Sequence, residues 1–109
     1  MSLYAEACFF CQQCAEMALK AFLYRQGRRD FRLHSIQALL NECSSYNEEF
    51  QKILRLGRML DRFYLTTRYP DAVLDVLPYE TVDEQDAGEA LKAARHILDF
   101  VKSSLEKSS

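Results

Sequence analysis

The residues best suited to catalysis or ligand binding lie between positions 25 and 34, where four arginines precede a histidine. A histidine titrates near neutral pH and can pass protons as a general acid or base. An arginine can hold a phosphate through two hydrogen bonds and stabilise charge developing on it. Arg29 and His34 could therefore support metal-independent attack by an RNA 2′-hydroxyl on its own phosphodiester. The alternative is that His34 only hydrogen-bonds backbone where a helix begins.

Charge is divided unevenly along the chain, although the formal net charge is only −2. Residues 25–68 carry nine Arg or Lys against five acidic residues, whereas the residues from 70 onward carry four bases against nine acids. We expect an anionic partner to meet the middle segment. The candidate phosphate contacts there are Arg28, Arg29, Arg32 and Arg68.

The four cysteines suggest either metal ligands or buried apolar side chains. Cys8, Cys11 and Cys14 recur every third residue, but each such step turns a helical side chain by about 60°, and a tetrahedral site would need a distant fourth ligand. We therefore expect buried thiols and no metal site. Because no export signal or long apolar segment is evident, we also expect a cytoplasmic protein with reduced cysteines and no membrane span.

Long helices in one domain are favoured because the 109 residues include only three Gly and two Pro. The first helix is predicted from about Tyr4 to Gln26, with Gly27 just past its end. Its polar sector is narrow and consists of Gln13, Glu16 and Lys20. The rest of its circumference is apolar, so two neighbours or another subunit must cover it.

A short helix and two further long helices are predicted. The short helix covers about Ser35 to Cys43, and the next begins at a capping box over 45–48 and stops at Tyr69-Pro70. An irregular connector over 70–80 leads to a capping box over 81–84 that opens the last helix.

The apolar stripe of the third helix comprises Phe50, Ile53, Gly57, Leu60, Tyr64 and Thr67. Its opposite side carries Lys52, Arg55, Arg58 and Arg62, either as a phosphate-binding surface or as an ordinary solvated face. The seam of the last helix comprises Ala87, Leu91, Ala94, Leu98, Val101 and Leu105.

Four sequence motifs resemble the HEPN domain family (higher eukaryotes and prokaryotes nucleotide-binding). They are Phe10-Cys-Gln-Gln13, Ala15-Glu16-Met-Ala-Leu-Lys20-Ala21, His34-Ser35-Ile36 and Thr67-Arg68-Tyr69-Pro70-Asp71. The resemblance implies a single domain over 1–109: an all-α, antiparallel up-down bundle of three long helices and one short helix. Members usually have another helix before the Gln-Gln motif. Its absence here would leave the wide apolar surface of the first helix, here called its apolar arc, exposed to solvent. This favours a dimer, a truncated chain or a misplaced start codon.

The residues and the resemblance together leave three alternative functions, and we expect no cofactor for any of them. Small prokaryotic members are often encoded beside a minimal nucleotidyltransferase as toxin–antitoxin-like pairs. The favoured hypothesis is a homodimer, paired with such an enzyme, that binds nucleotide or RNA phosphates. Its contacts would be Arg28, Arg29, Arg32, His34 and Arg68, with Tyr69 stacking on a base.

The second hypothesis is catalytic, because some branches of the family are ribonucleases that use an Arg-x4–6-His motif assembled across a dimer interface. By this resemblance the chain would be a metal-independent RNA endonuclease toxin, with Arg29 as the phosphate clamp and His34 as the general acid and base. The third hypothesis is a non-catalytic helical subunit whose apolar arc docks a nucleotidyltransferase or its own copy.

Overall fold

The computed structural model describes residues 3–30, 32–68 and 82–107, and gives the backbone alone for 64–68. Within these residues the chain forms four α-helices, one 3₁₀ helix and no strand, so the predicted all-α class is confirmed. The elements are α1 (Leu3–Arg25), α2 (Ile36–Ser44), the 3₁₀ helix (Glu48–Ile53), α3 (Leu54–Arg68) and α4 (Glu84–Lys107).

The three long helices alternate in direction, as in an up-down bundle. Arg62, near the end of α3, lies 3.6 Å from Asp86 in the first turn of α4. The charge of the same Asp86 contributes to the raised pKa of Cys8, near the start of α1, so these two residues are close together. At the opposite end, Phe22 of α1 and Ser104 of α4 line one small hollow. Helices α1 and α4 are therefore parallel, and α3 runs antiparallel to both.

The core is centred on aromatic rings from three elements. The ring of Phe50, in the 3₁₀ helix, lies 4.8 Å from the ring of Phe22 and 4.8 Å from that of Phe100, between centroids. Phe50 and Phe22 are buried. Burial of each such side chain stabilises the fold by roughly 1.5–3 kcal/mol. This cluster fixes α1 against α4, and so fixes the loop that follows α1.

The end of α1 is set by Gly27, as the sequence predicts. Gly27 has φ +99°, a left-handed conformation that only glycine adopts without cost. Its N–H donates to the carbonyl of Tyr24 at 2.9 Å, and the Arg28 N–H donates to the carbonyl of Leu23 at 3.0 Å. These paired bonds are the Schellman motif, which closes the helix and releases the chain into a loop.

The capping box predicted over 45–48 is wrong. Ser45 has φ −71° and ψ −18°, which is helical backbone, and its N–H closes α2 by donating to Glu42. Asn47 has the extended backbone that a cap requires (φ −151°, ψ 103°), and its side chain accepts from the Glu49 N–H. The segment therefore starts two residues later than expected, and it starts as a 3₁₀ helix.

The start of α4 also differs from the prediction over 81–84. The capping box is formed by Asp83 and Asp86: the Asp86 N–H donates to Asp83 Oδ1 at 2.9 Å, and the Asp83 N–H donates to Asp86 Oδ2 at 3.1 Å. The predicted cap residue, Thr81, lies outside the described residues, as does the connector over 70–80.

The predicted seam of α4 is wrong for its two central leucines. Leu91 is 61% exposed and Leu98 is also exposed, whereas Ala90, Ala93 and Ile97 are buried. The alanines let α4 approach its neighbours closely, so the helix is rotated towards its small residues. The predicted stripe of α3 agrees better with the structure. Phe50, Ile53, Gly57 and Leu60 are all buried, and the side chains of Tyr64 and Thr67 lie outside the described part.

Candidate functional site

His34 lies where residues 26–35, here called the arginine loop, meet α2, and it is held against α1. Its Nδ1 is 3.2 Å from Oε2 of Glu16, and its backbone carbonyl accepts a hydrogen bond from Nε2 of Gln12 at 3.2 Å. The His34 side chain is 50% exposed, whereas that of Glu16 is only 9% exposed. A largely buried carboxylate thus contacts one nitrogen of a solvent-accessible imidazole, an arrangement that can orient a histidine for proton transfer.

Glu16 connects this histidine to a polar cluster on α1. Its Oε2 also accepts from Nζ of Lys20 at 2.8 Å, while its buried Oε1 has no hydrogen-bond partner among the described residues. Gln12 is fully buried beside it and accepts a bond from Gln13 at 3.0 Å. Glu16, from the polar sector predicted on α1, and its neighbour Gln12 therefore anchor the arginine loop, and both are buried.

The N-terminus of α2 is already occupied by a carboxylate from α3. Oδ1 of Asp61 accepts from the Ile36 N–H at 2.7 Å, and Oδ2 accepts from the Gln37 N–H at 3.1 Å. The Ser35 hydroxyl donates to Oδ2 at 2.7 Å and accepts from the Ala38 N–H. A helix N-terminus is a common phosphate site, but Asp61 fills this one, so phosphate contacts must come from side chains.

The three arginines of the loop each have a partner. Nη1 of Arg28 is 3.2 Å from Oε2 of Glu42, and this hydrogen bond raises the pKa of the Arg28 guanidinium. Nη1 of Arg29 donates to the carbonyl of Tyr24 at 3.1 Å, and its guanidinium lies 4.1 Å from the centre of the Tyr24 ring. Arg32 is 92% exposed and lies 3.4 Å from Asp30.

Arg29 and His34 are anchored at different points along α1. Arg29 contacts Tyr24, and His34 contacts Glu16. Positions 16 and 24 are eight residues apart, which is about 12 Å along a helix. The structure therefore does not bring the two side chains together within one protomer. Arg68 ends α3 and its side chain is outside the description, while Tyr69 lies outside the described residues altogether.

Sequence reasoning missed three residues that build this site: Gln12, Glu16 and Asp61. A signal existed for the first two, since Gln12 and Glu16 are spaced i,i+4 and share one face of α1. No local signal could identify Asp61, because its partners Ile36 and Gln37 lie 25 and 24 residues away.

The cysteines divide into protected and accessible thiols. Cys8 and Cys43 are buried, and burial raises the pKa of each to about 12. The expectation of buried thiols is wrong for Cys14, which is exposed. Among the described side chains, no group of three or more His, Cys, Asp or Glu is placed to hold a metal ion.

An apolar face of α1 is exposed to solvent. Phe10, Met17 and Tyr24 recur every seven residues on it, and Met17 is 69% exposed. Cys14 and Ala21 lie between them and are also exposed. We call these five residues the α1 face; at one end of it the Arg29 guanidinium lies over the Tyr24 ring. Within the described helices, none is long and apolar enough to cross a membrane.

Known proteins resemble this chain over nearly its whole length. The model of the HEPN domain family matches residues 1–104. A protein of Methanocaldococcus jannaschii named "Putative toxin MJ1304" is 27% identical over 113 residues, covering 95% of this chain and 74% of that protein. The crystal structure of ST0689, an archaeal HEPN homologue, is 40% identical with a TM-score of 0.70, covering 93% of this chain and 77% of that one. The chain therefore belongs to the HEPN domain family.

Proposed function

We propose that this chain is a toxin-like HEPN protein that binds the phosphates of nucleotides or RNA through the arginine loop. The observation that carries the proposal is the exposure of Arg32 and His34, two residues apart on that loop, at 92% and 50% of their side-chain surfaces. The similarity to an archaeal protein named as a toxin supports the biological class. Arg68 and Tyr69, at the end of α3 and beyond it, complete the proposed contact set.

The ion pair between Arg32 and Asp30 is weak enough for a phosphate to replace Asp30. The pair between Arg32 and Asp30 is largely exposed, and such pairs contribute little to stability. The bonds from Arg29 use only its Nη1, and a guanidinium has five N–H donors in total. A phosphate could therefore bind Arg29 without displacing it from Tyr24.

The proposal includes assembly into a homodimer, or with a minimal nucleotidyltransferase. The α1 face supports this step, because it presents a continuous apolar strip at the spacing of a helix–helix seam. The homodimer would also place two arginine loops in one particle, which increases the local positive charge.

Equilibrium binding tests the proposal directly. Fluorescence anisotropy at low salt should detect binding of a labelled ATP analogue or a short labelled RNA. Arg32→Glu should raise the dissociation constant about tenfold, since it removes one charged contact and adds a repulsive charge. The control is Lys102→Glu, a matched charge reversal at an exposed position of α4. Wild-type protein that binds neither probe would refute the proposal.

The contact between Glu16 and His34 favours a second candidate, a metal-independent RNA endonuclease. His34 would accept the proton of the RNA 2′-hydroxyl as the 2′-oxygen attacks phosphorus. The bond from phosphorus to the 5′-oxygen would break, the leaving 5′-oxygen would take a proton from solvent water, and a 2′,3′-cyclic phosphate would remain. Because Arg29 is anchored about 12 Å away along α1, it would reach this phosphate only after loop movement or from a second protomer.

Expression in bacterial cells distinguishes the two candidates. A ribonuclease should halt growth, and His34→Ala should relieve the arrest while Lys102→Glu should not. The purified protein should cleave RNA in the presence of EDTA and leave cyclic phosphate ends. Harmless expression combined with intact RNA would eliminate the endonuclease and leave the binding proposal in place.

A further inference from the structure

A second group of cationic side chains lies on α4 and α3, away from the arginine loop. Two neighbouring hollows of about 440 Å³ and about 200 Å³ share Lys92 and His96 in their walls. Arg95 lines the larger hollow and Arg55 lines the smaller. The described walls of the larger hollow come from α4, and α3 contributes to the smaller. We call the two hollows together the α3–α4 groove.

The cations of this groove differ from those of the loop in their contacts. Arg55, Lys92, Arg95 and His96 are exposed, and none forms an ion pair with another described residue, unlike Arg28 and Arg32. Two carboxylates also line the groove, Asp99 and Glu89, and Glu89 already accepts a bond from Gln85. The groove therefore carries three basic side chains, Arg55, Lys92 and Arg95, against two carboxylates. An anion that binds these bases would not have to break an ion pair with another described residue.

The groove also has an apolar floor. Leu91 contributes to the larger hollow and Leu56, Met59 and Ala93 to the smaller. The larger hollow, at about 440 Å³, is within the range of roughly 300–1,000 Å³ that small-molecule sites occupy. A flat aromatic base could pack on Leu91 in the larger hollow while Lys92 and Arg95 beside it bind phosphate. An inorganic anion alone would leave this apolar surface in water.

We propose that the α3–α4 groove binds a nucleoside phosphate, with its phosphate on Lys92 and Arg95 and its base against the apolar floor. This inference rests on the proposed function for its ligand class, but it assigns a separate surface. The shared chemistry has two sources, a free mononucleotide or one nucleotide unit of an RNA strand.

The test compares two lysines on the same helix. Lys92→Glu reverses a charge that lines both hollows, whereas Lys102→Glu makes the same change at an exposed position that lines neither. Lys92 has no partner among the described residues, so its replacement should leave the fold intact, and circular dichroism checks this. Arg95→Glu serves as a second groove variant, and Arg32→Glu reports on the arginine loop.

The probes are a fluorescent ATP analogue and a labelled adenosine dodecamer, each titrated at low salt. We expect Lys92→Glu and Arg95→Glu to raise the dissociation constant of at least one probe about tenfold or more, and Lys102→Glu to leave both unchanged. A loss confined to ATP identifies a free nucleotide, and a loss that includes the dodecamer identifies an RNA strand in the groove.

Two outcomes would overturn the inference, and they are distinguishable. If the groove variants bind both probes as wild type does while Arg32→Glu is weakened, the groove is excluded and the proposed function stands. If wild-type protein binds neither probe, both the groove and the proposed function fail.

Discussion

His34 and Glu16 are in contact across eighteen residues of sequence, with Nδ1 of the histidine 3.2 Å from Oε2 of the carboxylate. The contact fixes the end of the arginine loop against the middle of α1. Glu16 is largely buried and also binds Lys20 on the same helix, so its carboxylate joins α1 to the end of the arginine loop. The loop is therefore anchored at both ends, by Tyr24 near its start and by Glu16 near its close.

Glu16→Ala should destabilise the protein by about 1–3 kcal/mol, since His34 and Lys20 would each lose a charged partner. Urea denaturation measures this change in the free energy of unfolding. Glu16→Gln, which keeps an acceptor oxygen, should cost less. The matched control is Glu6→Ala on the exposed side of the same helix, expected to change stability by less than about 0.5 kcal/mol. Equal effects at the two positions would show that the anchor contributes nothing.

Gly57 and Gly88 should respond in opposite ways to alanine. A Cβ on Gly57 would lie 2.8 Å from the backbone nitrogen of Gln37 and 2.9 Å from Cδ1 of Leu40, so α2 and α3 would have to separate. We expect a loss of about 1–3 kcal/mol from this overpacking. A Cβ on Gly88 meets nothing within 4 Å, so Gly88→Ala should stabilise α4 by about 0.5–1 kcal/mol.

Thermal denaturation of the two glycine variants checks this prediction. A melting temperature below wild type for Gly57→Ala and above it for Gly88→Ala is expected. If Gly57→Ala also melted higher, the close approach of α2 to α3 would be wrong.

The helical periodicity of the sequence is enough to predict α1, α2 and the buried stripe from Phe50 to Leu60. Gly27 marks the end of α1 because its backbone conformation is a local property. The choice of which face of α4 is buried, by contrast, does not depend on local sequence. Its leucines and alanines have equally regular spacing, and only the neighbouring helices decide that Ala90 and Ala93 are buried while Leu91 is exposed.

The candidate site was predictable only in its residue types. The positions of Arg29 and His34 in sequence suggested a catalytic pair, yet each is anchored by a side chain or carbonyl of α1 that the spacing does not encode. The partner of Arg28, Glu42, lies 14 residues away on α2. Such pairings depend on how helices pack, so sequence alone cannot tell an engaged arginine from an available one.

The accessible thiol should be distinguishable from the buried ones by alkylation. Iodoacetamide should modify Cys14 first, as peptide mass spectrometry would show, because Cys14 is exposed. The pKa values of Cys8 and Cys43 are raised to about 12 by burial, so their thiolates stay scarce in the folded protein even at about pH 9. Those two residues should react only after unfolding in urea. Rapid labelling of Cys43 in the native protein would contradict the packing of α2.

The α1 face should control association. Met17→Glu places a charge in the middle of this apolar strip, so a dimer that buries the strip should dissociate to a monomer. Light scattering at micromolar concentration measures the mass. Arg25→Glu, at an exposed position of the last turn of α1, should leave the mass unchanged. A wild-type protein that is already monomeric would show that α1 does not pair with a second copy.

The salt dependence of RNA binding tests the central claim most directly, since it counts phosphate contacts without depending on catalysis. Four contacts from Arg28, Arg29, Arg32 and Arg68 predict that the logarithm of the association constant falls with the logarithm of salt concentration at a slope of about −3. Arg32→Gln should make that slope shallower by about 0.7. Undetectable binding at low salt, or affinity that does not change with salt, would contradict a phosphate-binding role for this protein.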